Sequence, residues 1–119
     1  MTPTQSIIKF NKDRGLTEYR PDAEYNMIFS ELDTEFLKAV RDNDEYGQVD
    51  ALCDLIVIAK GALWKMGYEP DLALKQTCKE ILSRQGSFNE ATGKWEKDIN
   101  QNPDTLYKAN YNLAKRQKD

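Results

Sequence analysis

Residues 48–66 read QVDALCDLIVIAKGALWKM, and this stretch decides the fold. Between Ala51 and Trp64, eleven of fourteen residues are apolar. At about 100° per residue they cover most of a helix circumference, so the segment reads as a helix buried on most sides. The chain has 119 residues, which makes one domain with room for one core. Three or four helices from so short a chain do not cover a helix that is apolar nearly all round. A second copy would, so a homo-oligomer, dimer or tetramer, is expected.

On the N-terminal side of this helix, DNDEYG at residues 42–47 reads as a polar turn. Before it, a long helix is expected from an N-cap at Asp22 to about Arg41, with Ile28, Leu32, Phe36, Ala39 and Val40 at helical spacing. A short first helix is expected over Gln5–Asp13, stopped by Gly15, with a loop from Leu16 to Pro21. On the C-terminal side, Gly67 is a helix stop, and Pro70-Asp71 opens a helix that ends near Gly86. Residues 87–104 read as an ordered loop or arm, and Thr105–Lys118 as a short polar helix. No segment sustains strand alternation. The expected class is therefore all-α: an antiparallel bundle of four to five helices, completed by oligomerisation. It forms a single domain over residues 1–119, with a core at about 5–86 and a loop-rich arm at about 87–119.

Composition narrows the function. Charged residues make up 31% and hydrophobic residues 39%, the balance of a soluble globular chain. The longest apolar run near the centre, Leu55–Ala59, is far short of the roughly 20 residues that cross a bilayer. The N-terminal MTPTQSIIKFNKD lacks the apolar core of a signal peptide. Cys53 and Cys78 fall in apolar helical patterns and read as reduced, packed thiols of a cytoplasmic protein. There is no histidine, which removes His-based triads, imidazole bases, His-bound zinc and Glu-x-x-His di-iron sites. Acid–base and metal chemistry falls to carboxylates. Residues 1–74 hold 8 basic and 14 acidic residues, a net of −6; residues 75–119 hold 9 and 6, a net of +3. The overall charge of −3 argues against general nucleic-acid binding. The asymmetry reads either as ordinary solvated surface or as a site with an acidic, cation-holding half and a basic, anion-holding half.

Asp50 and Asp54 lie four apart on one face of the apolar helix, in the sector that also holds Gly61 and Lys65. Glu31 and Glu35 have the same spacing on the preceding helix. A short turn makes the two helices antiparallel neighbours, so the pairs can face each other. Four converging carboxylates repel unless a cation joins them, and an all-oxygen donor set suits Mg²⁺, with Mn²⁺ as a substitute. The plainer alternatives are a solvated Glu31 or Glu35 paired with Lys38, and an Asp50 that merely favours its helix N-terminus.

These residues resemble the all-α nucleoside triphosphate pyrophosphatase superfamily, in its MazG-like and phosphoribosyl-ATP pyrophosphohydrolase-like branch. The matching features are the Glu-rich helix, the helix Asp50-Ala51-Leu52-Cys53-Asp54-Leu55, then Gly61-Ala62 and Met66-Gly67-Tyr68. The segment KEILSRQGSFNEATGKWEKD at residues 79–98 is similar to the family's basic region. The family's usual acidic motifs are ExxE and ExxD. Here Leu32 and Ala51 stand three before Glu35 and Asp54, while Glu31 and Asp50 stand four before. The resemblance implies Mg²⁺-dependent cleavage of a nucleoside triphosphate between the α and β phosphates, giving the monophosphate and pyrophosphate. Glu31, Glu35, Asp50 and Asp54 would be the metal ligands. Glu31, Glu35 and Asp54 would be the catalytic set, with Glu31 or Glu35 acting on the attacking water. Lys79, Arg84, Lys94 and Lys97 would hold the polyphosphate, or are solvated surface. Trp95, Phe88 and Tyr107 would stack on a base, or anchor the arm. Two other readings are phosphoribosyl-ATP as substrate, and a non-catalytic helical module for nucleotide binding or oligomerisation.

Overall fold

The computed structural model describes residues 1–117. Helix α1 spans Pro3–Asp13. Thr2 caps it reciprocally: its hydroxyl accepts from the Gln5 backbone N–H at 3.1 Å, and the Gln5 side chain accepts from Thr2 N–H at 2.8 Å. It therefore starts two residues earlier than the apolar pattern indicates. Gly15, at φ +67°, allows the chain to leave the helix. Helix α2 (Pro21–Ser30) has Pro21 as its first residue and Arg20, not Asp22, at the N-cap. It continues without a break through a π-helical turn, Glu31–Phe36, into α3 (Leu37–Arg41). These three pieces form one rod. Asp44 caps α4 (Glu45–Lys65) by accepting from Gly47 N–H at 2.9 Å, and α5 spans Pro70–Ser83.

The segment after α5 overturns the all-α expectation. Gly86–Asn89 (β1) and Lys94–Lys97 (β2) form an antiparallel hairpin, with Phe88 opposite Trp95. Gly93 at φ +69° and the Asn89 side chain, which accepts from Ala91 N–H, make its turn. Each strand has four residues, too few for alternation to register in the sequence, and the hairpin does not lie on a core that would impose it. The protein is mostly helical, with four helical rods and a small two-stranded sheet, and is not a clear four- or five-helix bundle.

The C-terminal segment is also not the helix expected over Thr105–Lys118, whose last residue lies outside the described residues. It contains two 3₁₀ turns, Pro103–Thr105 and Tyr111–Ala114. Between them it runs extended along α5, held by backbone N–H groups rather than by its own helix. Tyr107 N–H donates to Ser83 Oγ (2.8 Å), Ala109 N–H to Glu80 (3.0 Å) and Asn110 N–H to Gln76 (3.1 Å). Ala114 is fully buried, and Tyr68 bridges Lys115. The Arg116 guanidinium lies 4.7 Å from the Trp64 ring centre and donates to Trp64 O at 2.7 Å.

The core is thin. Its buried hydrophobic residues are Ile7, Ala39, Ala51, Trp64, Ala73 and Ala114. A compact chain of this length has a radius of gyration of about 13.5 Å; this one measures 17.2 Å. Within one copy α4 exposes Val49, Leu52, Ile56 and Val57, so the sequence's nearly all-round apolar helix is only partly covered. Cys53 and Cys78 are free thiols, but both are exposed, which corrects their reading as packed. Among the described residues no helix is long and apolar enough to cross a membrane.

Candidate active site

The link between α3 and α4 is three residues, with Asn43 at φ +52°, so α4 folds back antiparallel along the rod. Two close contacts fix that approach. At the turn end, a Cβ on Gly47 would lie 3.1 Å from Ala39 Cβ, so the missing side chain lets the helices touch. At the far end, Lys65 Nζ meets Glu24 Oε1 at 2.6 Å, and both side chains are about nine-tenths buried. The second Glu24 oxygen is buried without a partner among the described residues.

Between these clamps the acidic pairs meet. The Glu31 carboxyl lies close enough to Asp54 for the aspartate's charge to act on it. One turn on, Glu35 and Asp50 line a common groove of about 110 Å³. A step of four forward on the rod matches a step of four backward on α4, as antiparallel packing requires. The Glu31 carboxyl titrates above its ordinary value. Burial is the first cause, the charge and hydrogen bond of Asp54 follow, and the charges of Glu35 and Asp50 add to them. Every charged group acting on Glu31 is acidic. Glu31 and Asp54 are half-buried, while Glu35 and Asp50 are exposed.

The plainer alternatives are narrowed: Glu35 and Asp50 are solvated, but not by the routes expected. Lys38 pairs with Asp42 at 3.2 Å, not with Glu31 or Glu35. Helix α4 begins at Glu45, so Asp50 lies beyond the first turn, where a helix N-terminus favours negative charge. Among the described residues, no three acidic side chains form a ready-made ligand cluster. An all-oxygen donor set of this kind is the chemistry that a hard divalent cation takes.

The basic residues lie elsewhere in the chain. Lys79 is exposed on α5, 5.7 Å from the Tyr107 ring centre. Arg84 pairs with Glu80 at 3.1 Å. Arg84, Lys97 and Lys108 line a cleft of about 420 Å³ beside the C-terminal segment. Lys94 and Trp95 stand on exposed β2. None of these residues lines the Glu35–Asp50 groove. Trp95 also packs within its hairpin: a Cβ on Gly86 would come within 2.7 Å of its ring. Tyr107 is an anchor of the arm, its hydroxyl donating to Gln76.

The sequence reading missed Lys108, and it missed Glu24 as the partner of Lys65. Lys108 lies in a stretch without periodicity. Glu24 lies in the first turn of α2, where an acidic residue has an ordinary explanation. No protein-family model, curated protein or solved structure matches the chain.

Proposed function

We propose that this chain is a Mg²⁺-dependent nucleoside triphosphate pyrophosphohydrolase of the nucleotide pool, acting in the cytoplasm as a homodimer or homotetramer. It cleaves ribo- or deoxyribonucleoside triphosphates between the α and β phosphates. The observation that supports the reading is that Asp54, Asp50 and Glu35 all act electrostatically on Glu31, while Glu35 and Asp50 line a common groove between the rod and α4. The resemblance of these same residues to the pyrophosphatase superfamily supports it.

Glu31, Glu35, Asp50 and Asp54 would hold the cation. A bound divalent cation supplies charge neutralisation on the phosphate oxygens. Glu31 or Glu35 orients the attacking water and takes its proton. The water oxygen bonds to the α-phosphorus, the bond from that phosphorus to the bridging oxygen breaks, and pyrophosphate leaves with the electron pair. The resemblance assigns Arg84, Lys79, Lys94 and Lys97 to the polyphosphate, with Arg84 suited to bidentate contact, although within one chain none of them lines the carboxylate groove.

The test is pyrophosphate release across a panel of ribo- and deoxyribonucleoside triphosphates, with Mg²⁺, an EDTA control and Asp54→Asn. Metal-dependent release that disappears in the variant is the expected result. Silence from folded protein across the panel, with phosphoribosyl-ATP included, refutes the reading and leaves a non-catalytic module.

A further inference from the structure

An apolar cleft of about 270 Å³ lies where the end of α4, the first half of α5 and the C-terminal segment meet. Leu63 and Met66 line it from the end of α4, Ala73, Leu74 and Thr77 from α5, and Tyr111 from the last 3₁₀ turn. It shares no lining residue with the carboxylate groove. Among the described residues, no charged side chain lines it. Its walls are set by contacts of the chain itself. Ala73 is 3% exposed, and Ala114, in the same turn as Tyr111, is fully buried. Asn110 caps that turn by accepting from Asn112 N–H at 3.2 Å, while its own N–H donates to Gln76 at 3.1 Å. Met66, Leu74 and Tyr111 nonetheless stay 48%, 47% and 45% exposed. A preformed concave site, apolar with a few placed polar groups, is the usual form of a small-molecule site.

The polar groups set the ligand's chemistry. The hydroxyls of Thr77 and Tyr111 stand 2.9 Å apart. Thr77 Oγ1 donates to the Ala73 carbonyl one turn back, at 3.4 Å, which commits its single proton. The bond between the two hydroxyls then runs from Tyr111 to Thr77 and commits the tyrosine proton as well. What the pair offers a ligand is the remaining lone pair on Tyr111 Oη, an acceptor. Volume sets the size. A dry apolar cavity of about 150 Å³ takes benzene, so a cleft not quite twice that size takes a fused bicycle of about nine or ten ring atoms. A purine has this shape, but its several ring nitrogens would go unpaired against an aliphatic lining. An ionised ligand would meet no counter-charge.

We infer that this cleft binds a neutral, hydrocarbon-rich bicyclic aromatic molecule with one hydrogen-bond donor, of the indole class, its N–H directed to Tyr111 Oη. The rings lie against Leu63, Ala73 and Leu74, and the flexible thioether of Met66 adapts to their edge. The site is separate from the carboxylate groove, and its ligand chemistry does not depend on the pyrophosphohydrolase reading.

The probe is indole, titrated into the full chain labelled with ¹³C-methyl methionine. Of the three methionines, Met66 is the one that lines the cleft. A saturable shift of the Met66 methyl resonance is expected, with Met1 and Met27 unmoved; no saturable shift at Met66 overturns the inference. 1-Methylindole keeps the rings and lacks the donor. It is expected to bind about three- to tenfold more weakly, the worth of one hydrogen bond, and Tyr111→Phe should remove that difference. Equal binding of the two by wild-type protein refutes the donor assignment, and purine binding as tightly as indole refutes the hydrocarbon-rich class. Leu74→Trp places a large ring in the cleft from an exposed position. It should abolish the Met66 shift while leaving the circular dichroism and the mass by light scattering unchanged. Indole binding retained in Leu74→Trp refutes the location, and a changed mass assigns the cleft to contact between copies and overturns the inference. No arm reads pyrophosphate release, so failure of the functional reading leaves this result standing.

Discussion

Replacing Lys65 with methionine tests the clamp that holds the carboxylate groove together. Lys65 Nζ is 2.6 Å from Glu24 Oε1, and their side chains are 11% and 6% exposed. The other Glu24 oxygen is buried without a partner among the described residues. Removing the ammonium leaves a buried carboxylate with neither water nor counter-charge. Breaking one side of such a pair costs about 3–5 kcal/mol, a large share of the roughly 5–15 kcal/mol that holds a small domain folded. Replacing both partners, as Glu24→Met/Lys65→Met, removes the stranded charge and should recover most of the loss. The assay is urea unfolding at neutral pH and one fixed protomer concentration, since association stabilises the folded chain. The expected result is a large fall in midpoint for Lys65→Met with an unchanged slope, and a smaller fall for the double variant. A loss below about 1 kcal/mol for Lys65→Met would mean that the pair is solvated, because exposed ion pairs contribute that little. The burial argument would then be wrong.

Asp54→Asn and Glu35→Gln are each expected to abolish pyrophosphate release while leaving the far-ultraviolet circular dichroism unchanged; wild-type turnover in either removes that residue from the chemistry. Lys94→Ala is expected to raise KM with little change in kcat, since it loses a phosphate contact, and an unchanged KM places Lys94 on plain surface. The raised Glu31 carboxyl predicts a pH dependence of stability in metal-free protein. Its contribution is fully present below the ordinary glutamate value of 4.5 and is lost as pH rises through the higher folded-state value. Asp71 and Glu80 titrate below their ordinary values, so their contributions run the other way and are lost as pH falls. The difference between wild type and Glu31→Gln isolates the Glu31 effect. Thermal midpoints should converge toward low pH and separate in favour of Glu31→Gln as pH rises, and Mg²⁺ should close the gap. A gap that is independent of pH would refute the electrostatic account.

The helices were legible because capping, proline placement and apolar spacing are local signals. Pro70 and Gly67 marked their boundaries, and the 3.6-residue period marked Ile28 to Val40. Boundaries slipped where a cap sat outside the apolar pattern, as at Thr2 and Asp44. The facing of Glu31, Glu35, Asp50 and Asp54 was legible for the same reason: two antiparallel helices with a short link leave little choice of register. The hairpin was not legible. Phe88 and Trp95 pair across only eight strand residues and fill no core, so the sequence carries no sustained alternation there. The C-terminal segment was misread because its order comes from Ser83, Gln76 and Glu80 on α5, a tertiary cause without sequence periodicity. The exposed cysteines have a related origin. An apolar helical pattern identifies faces that need cover, but not whether the same chain covers them.

The π-helical turn bears directly on the unusual acidic spacing. In an α-helix a residue three on stands about 60° short of a full turn, and a residue four on about 40° past it. A π turn closes its hydrogen bonds over five residues instead of four, taking up one extra residue. Within Glu31–Phe36, therefore, a residue four on falls a little short of a full turn instead of past it. Glu31 and Glu35, four apart in sequence, thus keep to one face of the rod through the backbone there. Helix α4 has no such turn, and there the geometry is set by packing. Ala51, three before Asp54, is only 1% exposed, so a carboxylate at that position would be stranded in the core. Asp50 is exposed and lines the groove with Glu35. The spacing of the two pairs has different physical settings, an inserted residue in one helix and a buried alanine in the other. π turns occur mostly as single turns inside α-helices and are frequent at functional sites, and this one encloses both glutamates.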